Sequence, residues 1–351
     1  MAKQVKLKDI AQMAGVSAGT VDRILHNRGK VSEKSRAKVE QVLKEVDYKM
    51  NIHASAISFR KEFTIVIAIP TFSPGEYWGS IRNGIESALK EYADINIRCI
   101  WFPYNQFDVY SCRSTFESVA DLSPDAVIIG PTFMSETLTF CQQLDEKNIP
   151  YVFVDSTIDG THPWATFTTD QKACGRLMAN LFHAILPEDA EIALLMARRI
   201  GTEPSHNTVE REEGFREYLA EVGKTDRIRK EFFSPLTPDD NESLSTFLRD
   251  NPRVKGIAIL NSRGYIIAKY LQDNPLNHDV RIACFDMTVG NVRALQEGRI
   301  AFLLCQNPER QGFEAVRSLI NCLLYRQPEK VLHQLMPIDI LVRENLPYYK
   351  Q

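Results

Sequence analysis

Beyond residue 61 the sequence contains no GxGxxG, no GxxxxGK followed by Ser or Thr, no GxSxG and no HExxH. The signatures of dinucleotide binding, nucleoside-triphosphate binding, serine hydrolysis and zinc proteolysis are therefore missing from the larger part of the chain. Long apolar runs are missing too: "FTIVIAIP" (Phe63–Pro70) is among the longest, far below the roughly 20 residues that cross a bilayer. "MAKQVKLKDIAQ" carries no apolar segment of the secretory type. Cysteine is scarce, seven in 351 residues and never spaced CxxC. Cys284 in "RIACFD" and Cys305 in "AFLLCQ" sit in apolar company, as small core residues do. An odd number of cysteines without a leader predicts reduced thiols and a soluble, cytoplasmic protein. No metal, no cofactor and no catalytic residue is expected, and no membrane partner. A large net charge is also lacking, at -3 overall.

What is present is a division of that charge. Residues 1–61 hold 13 Lys and Arg against 6 Asp and Glu, and the remainder holds 29 against 39. A basic head on an acidic body is the footprint of a nucleic-acid-binding module, although a solvated basic end gives the same count. In the head, Leu7, Ile10, Ala11 and Ala14 recur with helical period, and Gly15 can supply the positive φ that ends such a helix. Ser17 is placed to cap a second helix with Val21, Ile24 and Leu25 inward. "NRGK" reads as a loop, and Ser32 caps a third helix carrying Val39, Val42, Leu43 and Val46. Helix, glycine turn, helix and a supporting helix make a helix-turn-helix. A three-helix bundle for protein contacts has the same pattern.

After Glu62 the pattern changes. "FTIVIAIP", "INIRCIWF", "DAVIIGP", "YVFVDS", "EIALLMA", "GIAILN" and "RIACFD" are apolar, strand-like runs followed by helical periodicity. That alternation predicts parallel, doubly wound sheets, and the length predicts two lobes. Ligands of such folds bind outside the carboxyl ends of strands, which directs attention to the polar residues just after them. Asp155 and Asp286 could form the carboxylate pair of a glycoside hydrolase, but no acid–base context accompanies them. His206 in "EPSHNT" reads as a polar rim residue.

The segment "VKLKDIAQMAGVSAGTVDRILHNRGKVSEKSRAKVEQVLKEVDYKMN" resembles the head of the LacI family of bacterial transcription regulators, matching it in register at Asp9, Ala11, Ala14, Gly15, Val16, Ser17, Thr20, Val21, Arg23, Val31, Ser32, Arg36 and Val39. The resemblance implies that Ala18, Gly19 and Asp22 lie on the face that enters the major groove, with Arg23 as the arm to a base edge. It implies that Ser17, Thr20, Lys6, Arg28 and Lys30 hold phosphates, and it adds His26 to the DNA-facing set. Asp22 stands where Ser is usual, and Gly19 removes a side chain that often reads a base, so the operator should differ from the family consensus. "NIHASAISFRK" is similar to the family's hinge helix, with Asn51 and Ala54 matching and Ile57 at the position of the minor-groove wedge. Met50 replaces a frequent proline there, and a plain linker is the alternative.

The body resembles the type I periplasmic sugar-binding fold that forms the core of the same family. The expected architecture is thus an all-α, three-helix head with a hinge helix, followed by an α/β two-lobed core. Expected boundaries are 1–50 for the head, 51–61 for the hinge and 62–351 for the core. One lobe is expected at about 62–167 and 300–329, the other at about 168–299 and 330–351. The resemblance assigns ligand binding to Ser73, Tyr77, Trp78, Asp155, Arg211, Asn261, Asp286 and Gln306, with Arg211 as the sugar-clamping arginine. Such polar groups offer multidentate bonds to vicinal hydroxyls, and aromatic faces stack on the apolar side of a sugar ring. "IDILVRENLPYYKQ" has no leucine heptad, so a homodimer on a pseudo-palindromic operator is expected rather than a tetramer. The implied function is a repressor controlled by a sugar or sugar derivative. The alternatives are an activator or nucleobase-type corepressor mechanism, or a sugar-handling enzyme that carries the head.

Overall fold

A computed structural model describes residues 7–25, 31–45, 62–201, 205–235, 242–276, 278–325 and 332–349. The head contains α1 (Leu7–Ala14), α2 (Ala18–Leu25) and α3 (Glu33–Glu45). Gly15 has φ 65° and ends α1, while Val16 N–H returns to the Ala11 carbonyl at 3.0 Å. Ser17 Oγ accepts from Thr20 N–H at 3.1 Å, and Ser32 Oγ accepts from Ser35 N–H at 3.2 Å, so each serine caps the helix that follows it. Ile10, Ala11, Ala14, Val21, Ile24, Val39 and Val42 form a core of the head's own. Val46 and the hinge segment 51–61 lie outside the described residues.

The body is built on two six-stranded sheets. The first contains β1 (Phe63–Ala68), β2 (Ile97–Trp101), β3 (Ala126–Ile129), β4 (Tyr151–Asp155), β5 (Ala165–Thr168) and β11 (Leu332–Leu335), in the order β11-β5-β4-β3-β1-β2. All its pairings are parallel. The second contains β6 (Glu191–Ala197), β7 (Ile228–Phe233), β8 (Val254–Ile259), β9 (Arg281–Phe285), β10 (Phe302–Cys305) and β12 (Asp339–Leu341), in the order β12-β10-β9-β8-β6-β7. Only β12 runs antiparallel, against β10. Central strands are buried on both faces, β3 and β4 throughout, and for that reason they read as unbroken apolar runs. Apolar clusters cover both sides of each sheet.

Helices α4 (Tyr77–Glu91), α5 (Val109–Leu122) and α6 (Met134–Glu146) link the strands of the first lobe. Helices α7 (Gln171–Ile185), α8 (His206–Glu221), α9 (Glu242–Asp250), α10 (Gly264–Asp273) and α11 (Val289–Gln296) belong to the second. Helix α12 (Pro308–Tyr325) returns to the first and packs on α4. A Cβ on Gly84 would overlap the Glu309 carbonyl oxygen, and one on Gly312 the Ile81 oxygen. The second lobe repeats the device, with Gly175 against the Arg211 oxygen and Gly214 against the Lys172 oxygen. Bare backbone at these points brings α7 and α8 close together.

The chain crosses between lobes at about 169–170, 306–307 and 336–338. Two of the expected boundaries need correction. Residues 302–305 pair with β9 in the second lobe, not the first, and residues 332–335 pair with β5 in the first lobe, not the second. Strands of four residues carry no periodic signal of their own, so only their pairing partner assigns them to a sheet.

Candidate functional site

The carboxyl ends of the two sheets face one another across a cavity of about 580 Å³, within the roughly 300–1,000 Å³ of small-molecule sites. Its floor is a continuous polar network. Asp155 ends β4 with φ 73°, and Asp286 follows β9 with φ 66°. Left-handed backbone is tolerated by Asp better than by most residues and still costs on the order of 1 kcal/mol or more, a strain that clusters at functional sites. Asp155 accepts from the Tyr77 hydroxyl and from Asn207 Nδ2, both at 2.7 Å. Asp286 accepts from Gln306 Nε2 at 3.0 Å.

Arg211, on α8, ties the floor together. Its Nε donates to Gln171 Oε1 at 2.8 Å, Nη1 to the Leu260 carbonyl at 2.7 Å and Nη2 to Gln306 Oε1 at 2.8 Å. The guanidinium lies 3.8 Å from the Phe285 ring centroid. Gln306 Oε1 also accepts from Thr169 and Gln171. The close approach of α7 and α8 at Gly175 and Gly214 sets the depth at which Arg211 enters.

Burial pushes the Asp286 carboxyl up to about 7, opposed by Arg211 and reinforced by the charge of Asp155. Asp155 is raised by burial too, against the pull of Arg211 and its two donors. The Tyr77 hydroxyl is driven well above its ordinary value by burial, then by the carboxylates beside it. Tyr77 therefore stays a neutral donor, and the two aspartates resist carrying full charge together.

The rim joins the lobes directly. Arg263 pairs with Glu76 at 2.9 Å, and the Tyr265 hydroxyl donates to the same carboxylate at 3.3 Å. Ile200 N–H donates to the Phe107 carbonyl, Val109 N–H to the Ile200 carbonyl and Val289 N–H to the Gly75 carbonyl. In the head, Ser17, Ala18, Gly19 and Arg23 are exposed, and Thr20 and Asp22 are half-buried. The Ser17 and Thr20 hydroxyls lie 2.9 Å apart and share a hydrogen bond. Among the described residues no group of three or more His, Cys, Asp or Glu is arranged to hold a metal, and no helix is long and apolar enough to cross a membrane.

Residues 6–51 match the family of bacterial regulatory proteins, lacI family, and residues 65–326 match the periplasmic binding protein domain. A crystal structure described as that of a LacI transcriptional regulator from Bacteroides fragilis is 32% identical, with TM-score 0.76, over 82% of this chain and 100% of that one. The chain belongs to the LacI family. Among curated LacI-type relatives, the HTH-type transcriptional regulator DegA of Bacillus subtilis is 26% identical over 147 residues, 42% of each chain. The ribose operon repressor of Halalkalibacterium halodurans is 21% identical over 290 residues, 82% of each. The chain thus spans under half the length of the first of these and most of the second.

Of the eight residues expected to hold ligand in this LacI-family chain, Tyr77, Trp78, Asp155, Arg211, Asn261, Asp286 and Gln306 line the one cavity. Ser73 does not. It is exposed before the turn at Pro74–Gly75, and its backbone N–H donates to Glu76 at 3.0 Å. His206 is outside the lining and faces Glu210 at 3.5 Å. The expected DNA contacts Lys6, His26, Arg28, Lys30, Asn51, Ala54 and Ile57 lie outside the described residues. The sequence reading missed Gln106, Thr132, Arg199, Asn207 and Arg263, all in the lining. Asn207 had a legible signal: it sits four residues before Arg211, on the same face of a helix. Among the described residues its buried Oδ1 accepts no hydrogen bond.

Proposed function

We propose that this LacI-family chain is a cytoplasmic, sequence-specific DNA-binding regulator, acting as a repressor, whose operator affinity is set by a sugar-type effector in the cleft. The observation that carries the reading is the Arg211 network. It occupies a deep polar floor between two lobes and includes Gln306, a residue of the second crossover. A ligand whose hydroxyls bond Asp155, Asn207 and Asp286 favours one lobe arrangement by the difference in its affinity for the two. Exposed Ala18, Gly19 and Arg23 supply a recognition face for the major groove, with Ser17 and Thr20 toward phosphate. Two copies on a pseudo-palindrome would double the short footprint of one head. The chain is read as a non-enzyme because the relatives it resembles are named as transcriptional regulators.

The test is a genome-wide pull-down of DNA fragments with the purified full chain, followed by release with a panel of sugars. Enrichment of a palindrome that a sugar releases supports the reading. A ligand that is required for enrichment reverses its sign to a corepressor. No enriched sequence with or without sugars overturns it.

A further inference from the structure

Asp155 ends β4 in a three-residue turn. Its φ is 73°, and Ser156 N–H donates across it to the Val154 carbonyl at 2.9 Å. With positive φ this is the rare, strained form of the γ-turn, which persists only where its surroundings over-determine it. At a residue 6% exposed, the backbone N–H and C=O both need partners. Two glutamines supply them. Gln311 Oε1 accepts from Asp155 N–H at 2.7 Å, and Gln171 Nε2 donates to the Asp155 carbonyl at 2.9 Å. The other half of each amide is engaged as well. Gln311 Nε2 donates to the Gln306 carbonyl at 2.8 Å, and Gln171 Oε1 accepts from Arg211 Nε at 2.8 Å. An N–H can meet only the oxygen of an amide and a carbonyl only its nitrogen, so each side chain has one orientation that fits. Both glutamines are buried, Gln311 completely, and neither lines the cavity.

The two glutamines come from opposite sides of the crossovers. Gln311 lies on α12, in the first lobe with Asp155, and reaches the crossover at 306–307. Gln171 opens α7, in the second lobe, directly after the crossover at 169–170. Asn207, also of the second lobe, holds the Asp155 carboxylate itself. A rotation that carries α7 and α8 away from β4 takes Gln171 and Asn207 from Asp155 together. The strained turn is then left with one of its two glutamines.

We propose that Gln311 is a positioning residue: with Gln171 it holds Asp155 in the left-handed turn, so that the carboxylate is seated for ligand only in the lobe arrangement in which both glutamines reach it. This rests on the sugar-responsive reading above and deepens it, because it makes Asp155 the group whose bond to ligand distinguishes the two arrangements.

Gln311 is the residue to vary, because Gln171 also touches Arg211. The test is calorimetric titration of the full chain with D-glucose, D-galactose, D-ribose, D-xylose and D-arabinose, of which wild type should bind at least one. Gln311→Met removes both polar groups at nearly constant volume and should weaken that sugar at least about tenfold. Gln311→Asn keeps both groups but is one methylene too short to span from Asp155 to Gln306. It should show the same loss, and it stands in if the methionine variant does not fold. Gln311→Glu is isosteric and, at about pH 6, neutral when buried, so it accepts and donates at the same two points. Its affinity should stay within about threefold of wild type. Val119→Ala, in the core of the first lobe, should lower the melting temperature and leave affinity unchanged, which separates positioning from loss of stability. Methionine and asparagine variants that bind as tightly as wild type overturn the positioning role and leave the sugar reading standing. A glutamate variant as weak as the methionine one overturns the assignment to these hydrogen bonds. Wild type that binds none of the five sugars overturns both.

Discussion

Arg211 Nη2 and Gln306 Oε1 lie 2.8 Å apart, joining a helix of the second lobe to the second crossover between the lobes. The same amide oxygen accepts from Thr169, at the first crossover. The arginine proposed to bond sugar and a residue of the crossover are therefore one hydrogen-bonded unit.

Arg211→Ala removes the centre of that unit and takes this donor from Gln171 Oε1 and the Leu260 carbonyl, while Gln306 Oε1 keeps those of Thr169 and Gln171. Each buried group left unsatisfied costs about 1–3 kcal/mol. The variant should melt earlier and show no sugar response, while retaining operator binding at low temperature. Mobility shift with and without sugar checks this; a full sugar response in Arg211→Ala would sink the clamp assignment.

Arg23→Ala should act in the opposite direction. A base-edge arginine contributes about 1–3 kcal/mol of discrimination, so specific operator affinity should fall roughly ten- to a hundredfold with the melting of the body unchanged. Fluorescence anisotropy on specific and scrambled duplexes separates the two effects. Equal loss on both duplexes would place Arg23 on phosphate instead.

Asp286 gives the body a pH signature. Its folded carboxyl titrates at about 7, above the ordinary 3.8, because burial opposes the charge. Between those values the folded chain holds more protons than the unfolded one, so stability falls as pH rises through that window. Asp286→Asn should flatten this slope and raise stability at pH 8, by on the order of a few kcal/mol. Melting curves across the window test it, and parallel curves for the two proteins would refute it.

Gly214→Ala should be costly despite its single methyl group. The added Cβ overlaps the Lys172 backbone oxygen, which cannot rotate away. Forcing α7 and α8 apart should cost about 1–3 kcal/mol and weaken sugar binding by retracting Arg211. Gly223→Ala is the contrast: a Cβ there meets nothing within 4 Å, although its φ of 69° carries its own strain. A shallower loss at Gly214 than at Gly223 would show that helix contact is not the constraint.

Seven strands were legible: six are buried almost throughout and therefore apolar, and β2, a half-buried edge strand, is still mostly apolar. Those missed were short or marginal: "ATFT" and "FLLC" have four residues each, "LHQL" and "DIL" lie at sheet edges, and "IRKEFF" alternates charge with apolar groups. Asp155, Asn261 and Asp286 of the floor were legible at the ends of strands that were themselves legible, and Gln306 through the family resemblance alone, since the strand before it was missed. Arg199 and Thr132 also follow strands, β6 and β3, and were passed over, while Gln106 lies in the loop before α5 and carries no periodic signal. The head was legible almost residue by residue, since capping serines and a left-handed glycine act locally.

Three strands of backbone pass between the lobes, near 169–170, 306–307 and 336–338. One linker would let the halves swivel freely, and two would still let them pivot about the line joining them. Three leave little freedom beyond a single opening angle. A ligand held at the floor, as proposed, would then act through one rotation, and the spacing between two such bodies would read out as a narrow-versus-wide gauge.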